Sequence, residues 1–229
     1  MIKLLLIEDD AQLLYMVRSG LEDMIGGYEV LTAVNGKEGL QQWKEQAPDI
    51  IVSDIEMPVM NGYEMVSKIR KTEKTLPIIF ASGFDKPANV IHGYNVGVSN
   101  YIKKPYTPEE LDAHIKAMFR RVNGEQSRDT SLQYTLGSFR FDASKSELYD
   151  KNGEAISLRP REAQILQLLC EHRNETVRRE AILERFWPEA DYFTSRSLDV
   201  FVTQLRKRLT GDKRVSIVTV RGIGLKLTC

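Results

Sequence analysis

Ile2-Lys3-Leu4-Leu5-Leu6-Ile7-Glu8-Asp9-Asp10 opens the chain and decides how its first half folds. Residues 2–7 are apolar except Lys3. Such a run reads as a strand buried on both faces, the mark of a parallel sheet between helix layers. Carboxylates follow at once, at the strand's carboxyl end, where doubly wound sheets bind ligands. Further along, residues 11–25 place Leu14, Val17, Leu21 and Met24 at helical spacing. Gly26-Gly27 ends that helix. Residues 28–33 read as a strand, and Asn35-Gly36 opens a helix through Gln46 with Leu40 and Trp43 inward. Strands at 49–53, 77–81 and 98–102 then alternate with helices at 62–71, 87–95 and 108–121. The last helix keeps Leu111, Ile115 and Met118 on one face. Five strands with intervening helices predict an α/β doubly wound, five-stranded parallel sheet covered on both sides.

The pattern stops after Arg121. Residues 122–131 are polar apart from Val122 and read as a linker. A different grammar fills 132–229. Short strands are expected at 134–142, 147–149 and 155–157, and helices near 160–172, 178–186 and 195–209. Two closing strands, 216–220 and 225–228, flank Arg221-Gly222-Ile223-Gly224. This predicts a second, small α+β domain.

Two domains suit a length of 229 residues. With 42% apolar and 28% charged residues, disorder, collagen-like repeats and a disulfide scaffold are excluded. Cys170 and Cys229 make neither a disulfide framework nor a zinc site, and the expected compartment is the reducing cytoplasm. The apolar run Leu4-Leu5-Leu6-Ile7 is far short of the roughly 20 residues a membrane span needs, and Met1-Ile2-Lys3 runs into the strand without a signal peptide. The formal charge of +0 conceals an asymmetry. Residues 1–121 hold 14 basic and 17 acidic residues, whereas 193–229 hold 8 basic and 2 acidic. The two halves are suited to different chemistries.

Glu8 and Asp9 follow the first strand, and Asp54 ends the third. Carboxylates around one crevice repel one another unless a cation lies between them, and an all-oxygen set suits Mg²⁺. Ser82 and Lys104 reach the same edge from the fourth and fifth strands. A hydroxyl and an ammonium beside a metal can hold the oxygens of a transferring phosphoryl group.

Leu4-Leu5-Leu6-Ile7-Glu8-Asp9-Asp10, Asp54-Ile55-Glu56-Met57-Pro58-Val59-Met60-Asn61-Gly62 and Lys103-Lys104-Pro105 together resemble the receiver domain of two-component response regulators, a flavodoxin-like fold. The resemblance covers residues 1–121. It implies that Asp54 is the phosphoacceptor and that Glu8, Asp9, Asp54 and the backbone carbonyl of Glu56 hold Mg²⁺. It further implies that Ser82 is the switch hydroxyl, that Lys104 contacts the phosphoryl oxygens, that Tyr101 is the switch aromatic, and that Lys104–Pro105 is cis. A sensor histidine kinase would be the phosphodonor.

In Ser195-Arg196-Ser197-Leu198-Asp199-Val200-Phe201-Val202-Thr203-Gln204-Leu205-Arg206-Lys207-Arg208-Leu209, a step of about 100° per residue puts Leu198, Val202, Leu205 and Leu209 on one stripe. Arg196, Asp199, Thr203 and Lys207 share another, bordered by Arg206. Ser195 reads as the N-cap. Such a helix fits a DNA major groove, and on its own fits a solvated surface equally well. Arg221 at a glycine-rich hairpin tip suits a minor groove. Residues 132–229 resemble the winged-helix output domain of OmpR/PhoB-type regulators. The likeness rests on Leu158-Arg159-Pro160-Arg161-Glu162-Ala163, Trp187, the helix just quoted and Thr219-Val220-Arg221-Gly222-Ile223-Gly224. It implies double-stranded DNA as a partner, with Arg196, Thr203, Gln204, Arg206 and Lys207 on the reading face and Arg221 as the wing contact. It also implies RNA polymerase at 188–194 and a homodimer on DNA. Asp199 is expected to buttress arginines and Trp187 to join the core.

The sequence departs from that family at its usual dimer face. Val90 and His114 stand where basic residues are usual, and Ser99 and Asn100 where two aspartates are. Glu110 and Arg121 remain without their ordinary partners. Glu56 adds a charge beside the phosphoryl site, and Gly83 leaves room beside Ser82 for water or a phosphodonor. The reading is a phosphorylation-controlled transcription factor, not an enzyme. An atypical regulator that binds DNA without phosphorylation is the alternative. A metal-dependent phosphatase or phosphotransferase, with Glu56 as its acid-base residue, is a third reading, opposed by the short loops and the basic unit.

Overall fold

The computed structural model describes residues 1–83, 87–119, 132–187 and 192–229, with residues 87, 88 and 192–196 described by backbone alone. The chain divides into two compact units, Met1–Phe119 and Arg120–Cys229. The linker expected at 122–131, Arg121 and residues 188–191 lie outside the described residues.

In the first unit the elements are β1 (Ile2–Ile7), α1 (Ala11–Ser19), β2 (Tyr28–Ala33), α2 (Gly36–Gln46), β3 (Ile50–Asp54), α3 (Gly62–Ile69), β4 (Ile78–Ser82), α4 (Pro87–Val96), β5 (Asn100–Lys103) and α5 (Pro108–Phe119). The strands are all parallel, in the order β2-β1-β3-β4-β5. Leu4, Leu6, Val17, Leu21, Ile50, Val52, Ile102, Leu111, Ile115 and Met118 form the core on one side of the sheet. Asp10 caps α1 by accepting from the N–H groups of Gln12 and Leu13, at 2.9 and 3.2 Å. Asn35 does the same for α2.

Met24 is a correction: it is exposed, not part of the buried stripe. Residues Gly20–Ile25 continue α1 as a π-turn, closed by the Gly26 N–H donating to the Leu21 carbonyl. The wider turn advances the inward phase by one residue, so Ile25 packs on the core in place of Met24.

The second unit begins with β6 (Gln133–Leu136), β7 (Phe139–Asp142), β8 (Glu147–Tyr149) and β9 (Ala155–Ser157), an antiparallel meander. The single strand expected at 134–142 is thus a hairpin, because Gly137 takes φ +55° and reverses the chain. Next come α6 (Pro160–Glu171), β10 (Thr176–Arg178), α7 (Arg179–Phe186), α8 (Tyr192–Arg208), β11 (Ser216–Val220) and β12 (Gly224–Thr228). Three helices and the sheet β10-β12-β11 make a winged-helix domain. The pattern missed β10, whose three residues are too few to alternate visibly. Ser195 is not an N-cap: α8 starts three residues earlier, at Tyr192. A cap contributes about 1 kcal/mol, and with no Gly or Pro in 192–208 a formed helix propagates past it.

Leu198, Val202, Leu205 and Leu209 are buried as expected, and Phe201 joins them. Trp187 is buried in the core, with the Arg161 guanidinium 4.9 Å from its ring centroid. No helix among the described residues is long and apolar enough to cross a membrane.

Candidate functional site

Adjacent parallel strands bring their carboxyl ends to one edge, and the first unit gathers its charged groups there. Glu8 and Asp9 follow β1, Asp54 is the last residue of β3, Ser82 ends β4, and Lys104 follows β5. Oxygen atoms of Glu8, Asp9 and Asp54 all lie within 4.8 Å of one another. The Lys104 ammonium sits 2.6 Å from Glu8 Oε2 and 2.6 Å from Asp54 Oδ2. Asp54 Oδ1 accepts from the backbone N–H groups of Ile55 and Glu56. One oxygen of Asp54 is thereby fixed by backbone and the other by a cation.

The electrostatics are consistent with a cation site. Burial pushes the Glu8 carboxyl pKa up, and the Lys104 ammonium only partly offsets it. Burial also works against the charge on Lys104, but Asp54 and Glu8 outweigh it and raise its pKa. Lys104 therefore stays charged among the carboxylates. Three carboxylates against one lysine leave excess negative charge in a small space. An all-oxygen donor set of this kind fits Mg²⁺, which binds through one or two carboxylates and retains waters.

Ser82 is buried, and its carbonyl accepts from the Lys104 N–H at 3.0 Å, tying the ends of β4 and β5 together. Gly83 is exposed, and no atom of the described residues stands within 4 Å of where its Cβ would be. The Glu56 side chain is exposed beside Asp54. The Lys104–Pro105 peptide is cis.

Tyr101 lies apart from this pocket, among aromatics. Its ring packs edge-on against Phe80 and Tyr94, with centroids 5.7 and 5.2 Å away. Its hydroxyl donates to the Asn89 carbonyl of α4 at 3.2 Å, and the Tyr63 hydroxyl donates to the same carbonyl at 3.1 Å. Only glycine at position 93 permits this pose, because a Cβ there would stand 1.6 Å from the Tyr101 hydroxyl oxygen. Gly93→Ala should therefore expel the Tyr101 ring and cost about 1–3 kcal/mol of stability. Nitration of Tyr101 by tetranitromethane, mapped by mass spectrometry, should rise several-fold. Unchanged reactivity would mean that α4 moves instead.

The departures from the usual dimer face are mostly buried. Val90, Ser99 and Asn100 are all buried, and Asn100 Nδ2 lies 2.9 Å from His114 Nδ1. Glu110 is engaged locally. Its carboxylate accepts from the Thr107 N–H at 2.9 Å, while Thr107 Oγ1 accepts from the Glu110 N–H at 3.2 Å. This capping box gives Glu110 a partner within its own helix. Arg121 lies outside the described residues.

In the second unit α8 exposes Thr203, Arg206 and Lys207, with Gln204 half-buried. The side chain of Arg196, in the first turns of α8, lies outside the described ones. Arg221 is exposed in the turn between β11 and β12, and the Ile223 carbonyl of that turn accepts from the Arg179 N–H at 2.9 Å. Asp199 pairs with Arg179 at 2.8 Å, the buttress expected of it. Arg206 is differently placed from a side chain free to read bases. Its Nε donates to the Ile217 carbonyl and its Nη2 to Thr219 Oγ1, each at 2.8 Å. It ties α8 to the hairpin, because a guanidinium's fixed fork matches two acceptors on one strand. Sequence reasoning missed Tyr63, Arg179 and Tyr106. The partners of Tyr63 and Arg179 are distant in sequence, and the one visible signal was Tyr106 itself, a tyrosine directly after Lys104-Pro105.

Two family descriptions match the chain: "Response regulator receiver domain" over residues 4–116 and "Transcriptional regulatory protein, C terminal" over 153–227. The transcriptional regulatory protein RprY of Bacteroides fragilis is 32% identical over 226 residues, spanning 99% of this chain and 94% of that protein. The alkaline phosphatase synthesis transcriptional regulatory protein PhoP of Bacillus subtilis is 28% identical, over 98% of this chain and 96% of its own. Among solved structures, the response regulator DrrB of Thermotoga maritima, an OmpR/PhoB homologue, is 28% identical over 100% of both chains with a TM-score of 0.52. With both family descriptions matched in order and full-length relatives at this identity, the chain belongs to the OmpR/PhoB family of two-component response regulators.

Proposed function

We propose that this regulator is phosphorylated on Asp54 by a sensor histidine kinase and then acts on double-stranded DNA as a homodimer. The observation that carries the reading is the Glu8, Asp9, Asp54 cluster with Lys104 bridging two of its members at 2.6 Å. Bound Mg²⁺ would supply charge neutralisation between these carboxylates and the incoming phosphoryl oxygens. Glu8, Asp9, Asp54 and the Glu56 carbonyl would hold it. Asp54 attacks phosphorus as the nucleophile. Lys104 turns from its carboxylate partners to the new phosphoryl oxygens, and Ser82 donates to them. Tyr101 reports the change to α4 through the Asn89 carbonyl. A phosphoryl group thus biases a local packing equilibrium.

In the same proposal, 1–121 is the receiver, 122–131 the linker and 132–229 the DNA-binding domain. Thr203, Gln204, Lys207 and Arg196 face the major groove and Arg221 the minor groove. Residues 188–194 meet RNA polymerase, and the protein works in the cytoplasm, where the genome is. The bonds of Arg206 to Ile217 and Thr219 give it a second task, holding the hairpin at the angle that lets helix and wing bind together. Arg206→Ala should weaken specific DNA binding about tenfold at fixed salt, measured by fluorescence anisotropy. Equal affinity would refute both tasks.

The test of the whole reading uses acetyl phosphate and Mg²⁺ with the full chain. One phosphoryl group should appear on Asp54, and DNA affinity should rise. DNA binding that ignores phosphorylation would favour the alternative. One feature supports that alternative: Ser99 and Asn100 are buried and uncharged where the family's dimer face carries aspartates.

A further inference from the structure

We propose that the Tyr106 hydroxyl is a positioning group of the cation pocket, donating a hydrogen bond that orients the Glu8 carboxylate when the pocket holds a divalent cation. The inference rests on the Mg²⁺ reading above and adds a residue to it.

Tyr106 is 4% exposed, and its hydroxyl has no hydrogen-bond partner among the described residues. A buried tyrosine hydroxyl ordinarily finds one, since burying it unpaired is costly. Glu8 Oε2 is buried too, and the Lys104 ammonium, 2.6 Å away, is its charged neighbour. Both groups belong to the same side of the sheet. The Tyr106 ring packs in the core cluster with Leu4 and Leu6 of β1. Side chains alternate along a strand, so Glu8 follows Leu4 and Leu6 on that face. The ladder still holds at this point, as the Glu8 N–H donates to the Ala33 carbonyl at 3.0 Å.

The chemistry of the phenol agrees. Burial, and then the charges of Glu8 and Asp54, push its pKa well up, so it keeps its proton and can act only as a donor toward a carboxylate. Without a cation, Lys104 supplies the charge that Glu8 needs. When a cation and a phosphoryl group enter, Lys104 turns to the phosphoryl oxygens and Glu8 loses that neighbour. Metal-binding carboxylates are commonly held by a hydrogen bond from behind, which fixes the oxygen that faces the metal. Tyr106 is the buried donor placed to do this. A phenylalanine would fill the core equally well, so the oxygen is the only atom whose presence needs a reason.

The test is Tyr106→Phe in the full-length protein, read by calorimetric titration with MgCl2 and by thermal unfolding with and without the metal. Removing an unpaired buried hydroxyl should leave the metal-free protein as stable as the parent, or more so. Mg²⁺ affinity should fall about ten- to a hundredfold, the worth of one hydrogen bond to a charged group. Unchanged affinity would overturn the inference. So would a lower melting temperature without metal at unchanged affinity, which would make the hydroxyl purely structural. If the parent protein binds no Mg²⁺ at millimolar concentration, the metal reading fails and takes this inference with it. A parent that binds alongside a variant that binds equally well defeats the inference alone.

Discussion

Asp54→Asn is expected to abolish phosphoryl incorporation from acetyl phosphate or a kinase, lowering it by about 10⁴-fold or more, the scale seen when a nucleophile is deleted. The proposed transfer forms a bond between a carboxylate oxygen of Asp54 and phosphorus, and breaks the bond from phosphorus to the donor atom, an oxygen of acetyl phosphate or an imidazole nitrogen of the kinase. An amide has neither the charge nor the basicity to do this. The substitution is also mild for the fold. Asparagine's carbonyl oxygen can still accept from the Ile55 and Glu56 N–H groups that now serve Asp54 Oδ1. What it gives up is the charge facing Lys104 at 2.6 Å, and Lys104 keeps Glu8. Electrophoresis on a phosphate-affinity gel reads the loss, and thermal unfolding checks that the variant folds. Incorporation that persists at the parental rate would move the acceptor to Asp9 or Glu8 and undo the assignment.

Glu162→Ala destabilises the second unit by about 3–5 kcal/mol, the cost of breaking a buried ion pair from one side. Glu162 is fully buried. Its Oε2 accepts from the Arg159 N–H at 3.0 Å, closing the first turn of α6, and lies 3.2 Å from Arg208 Nε near the end of α8. One carboxylate thus satisfies a helix terminus and locks α6 to α8, the helix that bears Thr203 and Lys207. Alanine leaves a guanidinium that is largely out of water without its counter-charge. Glu162→Gln keeps an acceptor for Arg159 and should recover part of the loss. The chain has two tryptophans, Trp43 in the first unit and Trp187 in the second. In a Trp43→Phe background, urea unfolding followed by fluorescence therefore reports the second unit. A loss under about 1 kcal/mol would show that the pair contributes little beyond packing.

The two units were legible to different depths. In the first, apolar runs marked all five strands to within two residues, and the groups at their ends were named in order. A parallel sheet allows this because the carboxyl end of every strand faces one edge, so order along the chain becomes proximity in space. Strand order therefore placed Glu8, Asp9, Asp54 and Lys104 together without any distance. Helical periodicity misplaced Met24, because a π-turn changes the helical phase and is closed by backbone bonds that periodicity does not reveal. Residue preference misplaced the cap at Ser195, because a cap is a weak local preference.

By itself the sequence determined the two-domain layout, the doubly wound sheet, the acidic edge and the apolar stripe of α8, since each follows from local periodicity or from residue types at strand ends. Only the tertiary structure decided which polar groups are satisfied and by whom. Arg206 is spent partly on Ile217 and Thr219, Glu110 closes its own helix, Tyr101 lies in a slot that Gly93 leaves open, and the Tyr106 hydroxyl has no partner among the described residues. The physical reason is range. A hydrogen bond works within about 3 Å and within a narrow cone. Its partner is therefore fixed only once packing has set the positions of side chains far apart in the chain.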